Sequence, residues 1–534
     1  MPARMPARVP ARMPARMPAR MPARMPARMP ADARSHRPLT FHPPAHAPSA
    51  CAVARVWASS LKLPITSFHP ASNFFEFGGS LALVSLARGI ADAIGVSVPV
   101  PTLLQAPTLG AMAAACARAA NAAGAADGGL PLDADGFDPA AVALEYPLSV
   151  PPLEPPTTAA EAGASVLARA QGRSAALGRG GRTVLVTGAT GYVGAFVMRH
   201  LALDENVSTV HCLVRAKTAD AARERLRATC VSRGIDASAG FATWFDTKIV
   251  AWAADVAVGR FGIGDGAYAA LAAQVDAVVH VAAEVNMIKP PSVLAPANVG
   301  GTANVCAFCA DARVPFVFTS TMQPLDGATP SGYRQSKEAA EHVCANAFAS
   351  HGVPSAVLQL GDIAMPPAGW ATLPDDDYIV VLSRACLALG LVPEAAWSVA
   401  IMPVDQCASL FCTLALTTPT ADFDAVARET KGDLVPWGML CDWLRLSAPT
   451  LATCSLVEWK RAVDHAAQAS HPTLEKAAFA RLLFLLPAIE QEFEAEDRRR
   501  RAGEGATGKL FVDAAWGRVF ADALAAETAN RGGA

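Results

Sequence analysis

The chain has 534 residues, enough for about three or four domains, which excludes a single small binding module. Hydrophobic residues make up 52% and charged residues 17% of it, a composition that excludes a globally disordered chain. Lys plus Arg (45) nearly balances Asp plus Glu (47), and the net charge of -2 gives no reason to expect a nucleic acid or an anionic membrane as a partner.

The N-terminal tract is a simple repeat. Residues 1–31 are a tandem of Met-Pro-Ala-Arg, and a segment rich in proline and histidine follows. Because recurring proline forbids a continuous helix, residues 1–48 are predicted to be disordered. The tract is rich in arginine and has no acid before Asp32, as in organelle transit peptides. We expect a cytoplasmic protein, with an organelle as the alternative; repeat expansion or a misplaced start codon would explain the same tract.

Several classes of feature are not predicted. The 12 cysteines are scattered without the pattern of a disulfide framework, so reduced thiols inside a cell are expected. The longest apolar runs are broken by proline or charge, which predicts a soluble protein without a membrane span. Clusters of His, Cys or Asp with metal-ligand spacing are missing from the sequence, and no metal site is predicted.

A first folded unit is predicted over residues 49–120. Its first helix carries apolar residues at helical spacing, and Gly78-Gly79-Ser80 stands immediately before a second amphipathic helix. Taken by itself, Ser80 is interpreted as a helix N-cap, and the two glycines before it allow the tight entry of the chain into the helix. The apolar positions of the two helices are Val53, Val56, Trp57 and Leu61, then Leu81, Val84, Leu86 and Ile90.

The run NFFEFGGSL, followed by VPVPTLLQAPTLGAMAA, resembles the carrier domains of nonribosomal peptide synthetases over about seventy residues. The resemblance implies a four-helix unit with Trp57 in its first helix and 4'-phosphopantetheine esterified to Ser80 by a phosphopantetheinyl transferase. A helix N-terminus suits an attached phosphate, because its free amides and dipole favour negative charge. The family pattern is Gly-Gly-x-Ser, so the loop before Ser80 is one residue shorter here.

After residue 120 the sequence pattern changes from helical to a linker and then to alternating strands and helices. Residues 121–180 are rich in Ala, Gly, Asp and Pro and are predicted to be an interdomain linker. From Thr183 onward, β-rich runs (TVLVTG, TVHCLVR, DAVVHVAA, PFVFTST, SAVLQL) alternate with helical stretches. This alternation predicts an α/β domain over 181–431, a Rossmann-type doubly wound parallel sheet, followed by a helical C-terminal region over 432–534.

A dinucleotide site is predicted where the first strand ends. Gly188, Gly191 and Gly194 directly follow TVLVT and open a helix, the context in which glycines let backbone amides approach a pyrophosphate. The predicted cofactor contacts of this loop are Gly188, Thr190, Gly191, Tyr192, Val193 and Gly194.

The end of the second strand predicts which dinucleotide binds. An Asp or Glu there would accept the 2'-hydroxyl of NAD, but the chain has Arg215, 21 residues beyond Gly194, and then Lys217. Two cations favour the 2'-phosphate of NADP(H). A solvated charge at a strand end is the alternative for Arg215. Asp255, after the third predicted strand, is a further candidate that could hydrogen-bond the adenine.

The candidate catalytic residues are a tyrosine, a lysine and a threonine. Tyr333 and Lys337 are four residues apart in YRQSK, so both lie on one face of a helix. A lysine ammonium near a phenol favours the phenolate, which lets the tyrosine exchange protons near neutral pH. Thr321 ends the run PFVFTST twelve residues earlier, as expected for a hydroxyl beside the tyrosine at the carboxyl edge of the sheet.

Together these residues resemble the extended short-chain dehydrogenase/reductase superfamily, and more closely the thioester reductase domains of carboxylic acid reductases, aminoadipate reductases and reductively releasing peptide synthetases. The pieces that carry the resemblance lie between about 183 and 460: VLVTGATGYVG, CLVRA, VDAVVHVAAEVN, ANVGGT around Asn298, YRQSKEAAE and GLVPEAAWSVAIMPVD. In such domains the segment ending in Asp405 completes the substrate side, and a helical tail with a tryptophan, here Trp459, covers it.

The resemblance implies that NADPH reduces an acyl or aminoacyl thioester held on the arm of Ser80. The product would be an aldehyde or, as in some relatives, an alcohol. Thr321, Tyr333 and Lys337 would be catalytic, with Lys337 also holding the cofactor ribose. Only repeat and linker precede Ala50 in this sequence, so a separate adenylating or synthase enzyme is expected to load Ser80, unless the gene model is truncated.

The chain also departs from the family. Relatives have Arg-Pro-Gly on the strand after the catalytic helix, where this chain has Gln359-Leu360-Gly361, and the pair Pro290-Pro291 stands where aromatic residues are common. A carrier or scaffold protein with an inactive reductase fold is the alternative that rests on these changes. The sequence also allows a reductase of free acyl-CoA with a vestigial carrier, or an epimerase or dehydratase that consumes no NADPH. Candidate pocket residues, Trp370, Tyr378 and the acidic run 375–377, lie after this strand.

Overall fold

The structure is a computed structural model, and it describes most of the chain after residue 47. The described residues are 48–61, 64–70, single positions between 72 and 108, 109–122, 137–151, 181–286, 289–322, 331–364, 373, 377–417, 426–468, parts of 479–502 and 512–532. The predicted disordered tract up to residue 47 and the Gly78-Gly79-Ser80 motif lie outside them.

The carrier region has a core of its own. Helix α1 spans Pro48–Leu61 and helix α2 spans Leu109–Ala122, with a short 3-10 turn at Ile65–Ser67. Trp57 on α1 is fully buried; its indole N–H donates to Met112 Sδ at 3.2 Å, and its ring packs edge-on against Phe68 and Phe74. Leu86 and Ile90 are buried in the same cluster, as their spacing predicts.

A seven-stranded sheet forms the centre of the second region. The strands that the structure describes are β1 (Arg182–Thr187), β2 (Val207–Val214), β3 (Ile249–Ala253), β4 (Ala277–His280), β5 (Phe316–Thr321), β6 (Ser355–Leu360), β7 (Asp362–Ala364), β8 (Leu391–Glu394), β9 (Ser398–Pro403), β10 (Val426–Lys431), β11 (Asp433–Pro436) and β12 (Ala452–Ser455). The seven strands of the central sheet run in the order β3-β2-β1-β4-β5-β6-β10, and every neighbouring pair is parallel. This order is that of a doubly wound Rossmann sheet with one strand added at the edge, so the predicted fold class is confirmed.

Helices cover both faces of the sheet, which is why its strands read as continuous apolar runs. Along β1, Val184 and Val186 pack on one face with Phe196 and Phe411, and Leu185 packs on the other face with Phe308. The helices after the carrier are α3 (Pro139–Leu144), α4 (Tyr192–Leu203), α5 (Ala219–Ser232), α6 (Phe241–Lys248), α7 (Asp265–Ala272), α8 (Pro291–Ala295), α9 (Gly301–Ala312), α10 (Gly332–His351), α11 (Tyr378–Leu389), α12 (Val404–Leu416), α13 (Trp437–Ser447), α14 (Leu456–Gln468) and α15 (Ala514–Gly532).

The linker prediction was wrong for residues 137–151. Asp138 caps helix α3 by accepting the backbone N–H groups of Ala140 and Ala141, and Ala143 is buried in the core of the α/β domain. The segment is also fixed to α10, because His351 Nε2 lies 3.1 Å from the carbonyl of Val150. This part of the predicted linker therefore belongs to the α/β domain.

The C-terminal region also differs from its predicted boundaries of 432–534. Its apolar core includes Leu373, helix α11, Val392 and Trp397, all upstream of residue 432, together with Trp437 and Trp459. Short strands contribute as well, since β11 pairs with β9 and β12 pairs with β8. The region is therefore assembled from two separate stretches of chain and is not purely helical.

One helical stretch among the described residues, 291–312, has the length and composition of a membrane span. Most of it, 78% of the apolar window, is buried inside the protein, as expected for a core helix. In the part of the chain that the structure describes, no three His, Cys, Asp or Glu side chains are grouped as metal ligands would be.

Candidate active site

The glycine loop joins β1 to α4 with almost no space between backbone segments. Gly188 has a positive φ of 75°, and a Cβ there would lie 2.6 Å from the amide nitrogen of Ala282. A Cβ on Gly194 would lie 2.1 Å from the Gly188 carbonyl oxygen. Gly191 is the N-cap of α4, followed at once by Tyr192 and Val193, so the first amides of the helix have no intrahelical partners. The loop thus offers the cradle that a pyrophosphate requires.

Three cations gather where β2 ends. The strand ends at Val214, and the predicted residues Arg215 and Lys217 follow it at the surface. Arg225 on α5 joins them, because its Nη1 donates to the Arg215 carbonyl at 2.7 Å. Arg225 is not among the residues predicted from the sequence. Its only signal was its position on the helix that follows the strand, which is not specific by itself.

Asp255 lies just beyond β3, in a tight turn. Its Oδ1 accepts the amide of Ala257 at 3.0 Å, and its own amide donates to the Phe261 carbonyl. Arg260 and Phe261 both have positive φ, 52° and 57°, which is strained for residues other than glycine. The turn fixes Asp255 at the carboxyl edge of the sheet beside β2, the region where the sequence predicts the adenine.

The predicted catalytic residues lie on two adjoining elements. Thr321 is the last residue of β5, and Tyr333 and Lys337 lie in the first two turns of α10, whose N-cap Ser331 accepts the amide of Arg334. Helix α10 packs against β5. Gly332 makes a close approach to the residues before α8, since a Cβ there would lie 2.2 Å from the Lys289 carbonyl. The structure therefore brings the three predicted residues to one edge of the sheet.

Lys337 is a buried cation, only 1% exposed. Its ammonium lies 4.1 Å from the centroid of the Phe318 ring, and that ring stacks on His280 at 5.5 Å. Burial lowers the pKa of Lys337 from 10.5 to about 7, and the nearby Cys344 and Glu341 oppose this shift. The Phe318 contact was not predicted from the sequence, because Phe318 is on strand β5 and not on the helix that carries the Tyr-x-x-x-Lys motif.

Glu341, one turn beyond Lys337, is buried and holds two strands to α10. Its Oε1 accepts the hydroxyl of Ser320 at 2.5 Å and the amide of Gln359 at 3.0 Å. The resemblance found in the sequence leads us to expect arginine at position 359, and the Gln359 side chain present here points inward to this carboxylate. Gly361, between β6 and β7, allows the chain to approach β9 closely, since a Cβ there would lie 2.3 Å from the Ala400 carbonyl oxygen.

Several predicted residues lie outside the described part of the chain. They are Ser80, Trp370 and residues 375–376 of the acidic run, together with the side chain of Tyr378. Asp377, the last acid of that run, is the N-cap of α11 and accepts the amide of Val380 at 3.0 Å. Asp405 lies in the first turn of α12.

Comparisons with known proteins agree with this layout. A family profile described as "Male sterility protein", an NAD-binding family, matches residues 186–327 and 322–411, and one described as "Phosphopantetheine attachment site" matches residues 51–116. The L-2-aminoadipate reductase of Saccharomyces cerevisiae is 25% identical over 508 residues, which cover 87% of this chain and 34% of that protein. A linear gramicidin synthase from Brevibacillus parabrevis is 28% identical over 391 residues, 68% of this chain and 7% of that protein. The chain thus spans about a third or less of each.

Solved structures share the fold. A thiolation-reductase di-domain from an archaeal non-ribosomal peptide synthetase has a TM-score of 0.57 at 16% identity and covers 89% of this chain and 97% of that one. The terminal R domain of the myxalamid PKS-NRPS pathway has a TM-score of 0.52 at 22% identity, covering 64% of this chain and 90% of that one.

Fold and site together define a Rossmann-type NAD-binding domain preceded by a phosphopantetheine attachment domain. The proteins similar to it include aminoadipate reductases, R domains of peptide synthetases and a thiolation-reductase di-domain, which confirms the resemblance found in the sequence.

Proposed function

We propose that this chain uses NADPH to reduce an acyl or aminoacyl thioester carried on 4'-phosphopantetheine at Ser80, releasing an aldehyde. The observation that supports this most directly is the presence, in one chain, of a carrier domain and of a dinucleotide loop near a helix that bears Tyr333 and the buried Lys337. The presence of a carrier domain and an oxidoreductase site in one chain supports an acyl group tethered to the carrier as the substrate.

The residues at the site fit NADPH. The glycine loop has no room for side chains at Gly188 and Gly194, as expected where a backbone must approach a pyrophosphate. Arg215, Lys217 and Arg225 would hold a 2'-phosphate, whereas the described residues at the end of β2, 214–218, include no carboxylate to accept a ribose 2'-hydroxyl. This charge pattern supports NADPH over NADH.

When bound, NADPH supplies a hydride to the thioester carbonyl carbon, and cleavage of the carbon-sulfur bond then gives an aldehyde and a free thiol. Tyr333 donates its phenolic proton to the carbonyl oxygen as charge develops there, and the Thr321 hydroxyl donates a second hydrogen bond. The Lys337 ammonium stabilises the phenolate that Tyr333 leaves behind. Tyr333 regains its proton from solvent before the next turnover.

The proposal includes two partners. A phosphopantetheinyl transferase attaches the arm to Ser80, and a separate adenylating or synthase enzyme supplies the acyl group. The large relatives, which are much longer than this chain, support a longer assembly.

The test loads the carrier directly. The full chain is incubated with an acyl-CoA and a broad phosphopantetheinyl transferase, loading is measured by intact mass, and oxidation of added NADPH is followed by absorbance. We expect a mass gain and NADPH oxidation with aldehyde formation, both lost in Ser80→Ala. Oxidation that survives Ser80→Ala with free acyl-CoA would select the acyl-CoA reductase alternative. A loaded carrier without NADPH oxidation would contradict the proposal.

A further inference from the structure

A continuous chain of buried hydrogen bonds begins at the end of β1. Thr187 Oγ1 lies 2.7 Å from His280 Nδ1, and His280 Nε2 lies 3.1 Å from Thr302 Oγ1. The Thr302 hydroxyl in turn donates to the carbonyl of Asn298 at 2.7 Å. Thr187, His280 and Thr302 are each at most 1% exposed, so water does not compete for these bonds.

Asn298 carries the chain to the catalytic helix. It lies in the π-helical turn Pro296–Gly300 between α8 and α9. Its Nδ2 donates to Ser336 Oγ at 2.9 Å, and the Ser336 hydroxyl donates to the carbonyl of Tyr333 at 2.7 Å. Its Oδ1 accepts the amide of Glu284 at 2.7 Å. Asn298 thus ties the loop after β4 to the turn of α10 that bears Tyr333.

The hydrogen-bond pattern fixes the form of His280. The Thr302 hydroxyl has one proton and donates it to Asn298, so Thr302 Oγ1 must accept the Nε2–H of His280. Burial and the Lys337 ammonium lower the pKa of His280 to about 3, so the ring is neutral at pH 7 and Nδ1 carries no proton. His280 Nδ1 therefore accepts the hydroxyl proton of Thr187, whose oxygen accepts the amide of Ala282 at 3.2 Å.

We propose that His280, as the neutral Nε2–H tautomer, is a positioning residue for the proposed reduction. Through its hydrogen bonds, His280 fixes Asn298 relative to β1, the strand that leads into the glycine loop. Asn298 and Ser336 then fix the turn of α10 that carries Tyr333. The effect on turnover rests on the proposed function. The tautomer and the hydrogen bonds do not, and they are measured without substrate.

The first test needs no activity. The full chain is labelled with 15N-histidine, and the imidazole shifts of His280 are assigned by difference from a His280→Gln variant. A neutral ring protonated at Nε2 at pH 7 is the expected result. A charged ring, or a neutral ring protonated at Nδ1, would overturn the inference whether or not the enzyme turns over.

The second test breaks the chain at Thr302. Thr302→Val keeps the shape of the side chain and removes the hydroxyl, and Thr302→Ser keeps the hydroxyl. We expect Thr302→Val to lower kcat about tenfold while the Kd for NADPH changes less than about twofold, and Thr302→Ser to restore kcat. Ser355→Ala is the matched control, because the Ser355 hydroxyl is equally buried and has no hydrogen-bond partner among the described residues.

The outcomes are separable. An unchanged kcat in Thr302→Val, or an equal loss in Thr302→Ser or in the Ser355→Ala control, would overturn the positioning role. If the loaded wild-type chain does not oxidise NADPH, the proposed function fails, and the tautomer of His280 still decides whether the hydrogen-bond chain exists. The same spectrum decides if Thr302→Val does not fold.

Discussion

The Lys337 ammonium lies over the face of the Phe318 ring, 4.1 Å from its centroid, inside the protein. A cation over an aromatic ring gains from about 0.5 kcal/mol at an exposed site to about 2 kcal/mol when desolvated, so the Phe318 ring favours the protonated form of this buried lysine. The pKa of Lys337 is about 7, so even a small change in this pKa alters the charge of the residue near neutral pH. The contact with the Phe318 ring contributes to that pKa.

Phe318→Leu should therefore shift the pH dependence of activity. In the proposed reduction the phenolate of Tyr333 needs the Lys337 ammonium, so kcat/KM for NADPH should fall as the pH rises through about 7. Loss of the ring destabilises the ammonium and moves this fall to lower pH, by about half to one unit. Phe316→Leu, a buried phenylalanine two residues earlier on β5, is the control and should leave the fall in place. Identical profiles for the two variants would contradict the prediction.

The same buried lysine should make stability depend on pH. Its pKa is lowered from 10.5 to about 7 on folding, so the unfolded chain binds more protons between these values. The free energy of unfolding of the wild type therefore rises between about pH 7 and about pH 10.5, and this gain is lost again as the pH falls from 10.5 to 7. Lys337→Met should raise the free energy of unfolding by on the order of 2 kcal/mol below pH 7, and this gain should shrink towards pH 10. Urea unfolding at pH 6 and pH 9 measures it, and an equal difference at both pH values would argue against the shift.

Arg225→Ala should weaken the binding of NADPH and leave the binding of NADH almost unchanged. Its guanidinium is fixed on the Arg215 carbonyl at the end of β2, where it would meet a 2'-phosphate. We expect the KM for NADPH to rise about tenfold, about 1.4 kcal/mol, with little change for NADH. Arg227→Ala is the matched control from the same helix, because that guanidinium pairs with Asp246 at 2.9 Å. A similar loss for both cofactors would show that Arg225 supports the loop instead.

Substitution of two glycines of the loop should affect different properties, stability at Gly194 and cofactor binding at Gly191. In Gly194→Ala the new Cβ meets the Gly188 carbonyl oxygen at 2.1 Å, so the protein should lose more than about 2 kcal/mol of stability. In Gly191→Ala the nearest atom is 3.2 Å away and the fold should survive, but the methyl group should block the approach of a pyrophosphate. Thermal unfolding and NADPH fluorescence titration separate the two effects. Equal losses of stability would show that the close contact at Gly194 is relieved.

Removal of the phenol should affect chemistry alone. Tyr333→Phe keeps the ring and deletes the proton donor, so kcat should fall about 100-fold or more while the Kd for NADPH and the melting temperature stay close to wild type. Steady-state kinetics on the loaded carrier give kcat, and Gln335→Leu, a neighbour on α10 outside the proposed chemistry, serves as the comparison. Retained activity in Tyr333→Phe would remove this residue from the mechanism.

The sequence was most informative where one element carries its own signal. The run SAVLQL coincides with β6, and Gly188, Gly191 and Gly194 lie in the turn and in the first turn of the helix that their spacing predicts. Residues 137–151 were misread because Ala143 is the only fully buried residue among them, so the segment carries almost no apolar periodicity. The partners of Lys337 were equally hidden, since Phe318 meets it only through the pairing of β5 within the sheet.

The packing of residues 137–151 on α10 bears on how such proteins can be recombined. A graft that takes the α/β domain from residue 181 onward would leave behind α3 and the carbonyl of Val150 that meets His351. It would also uncover apolar surface on the helix that carries Tyr333. A transferable unit therefore has to start upstream of Phe137 and retain α15, whose Trp516 stacks in the C-terminal core.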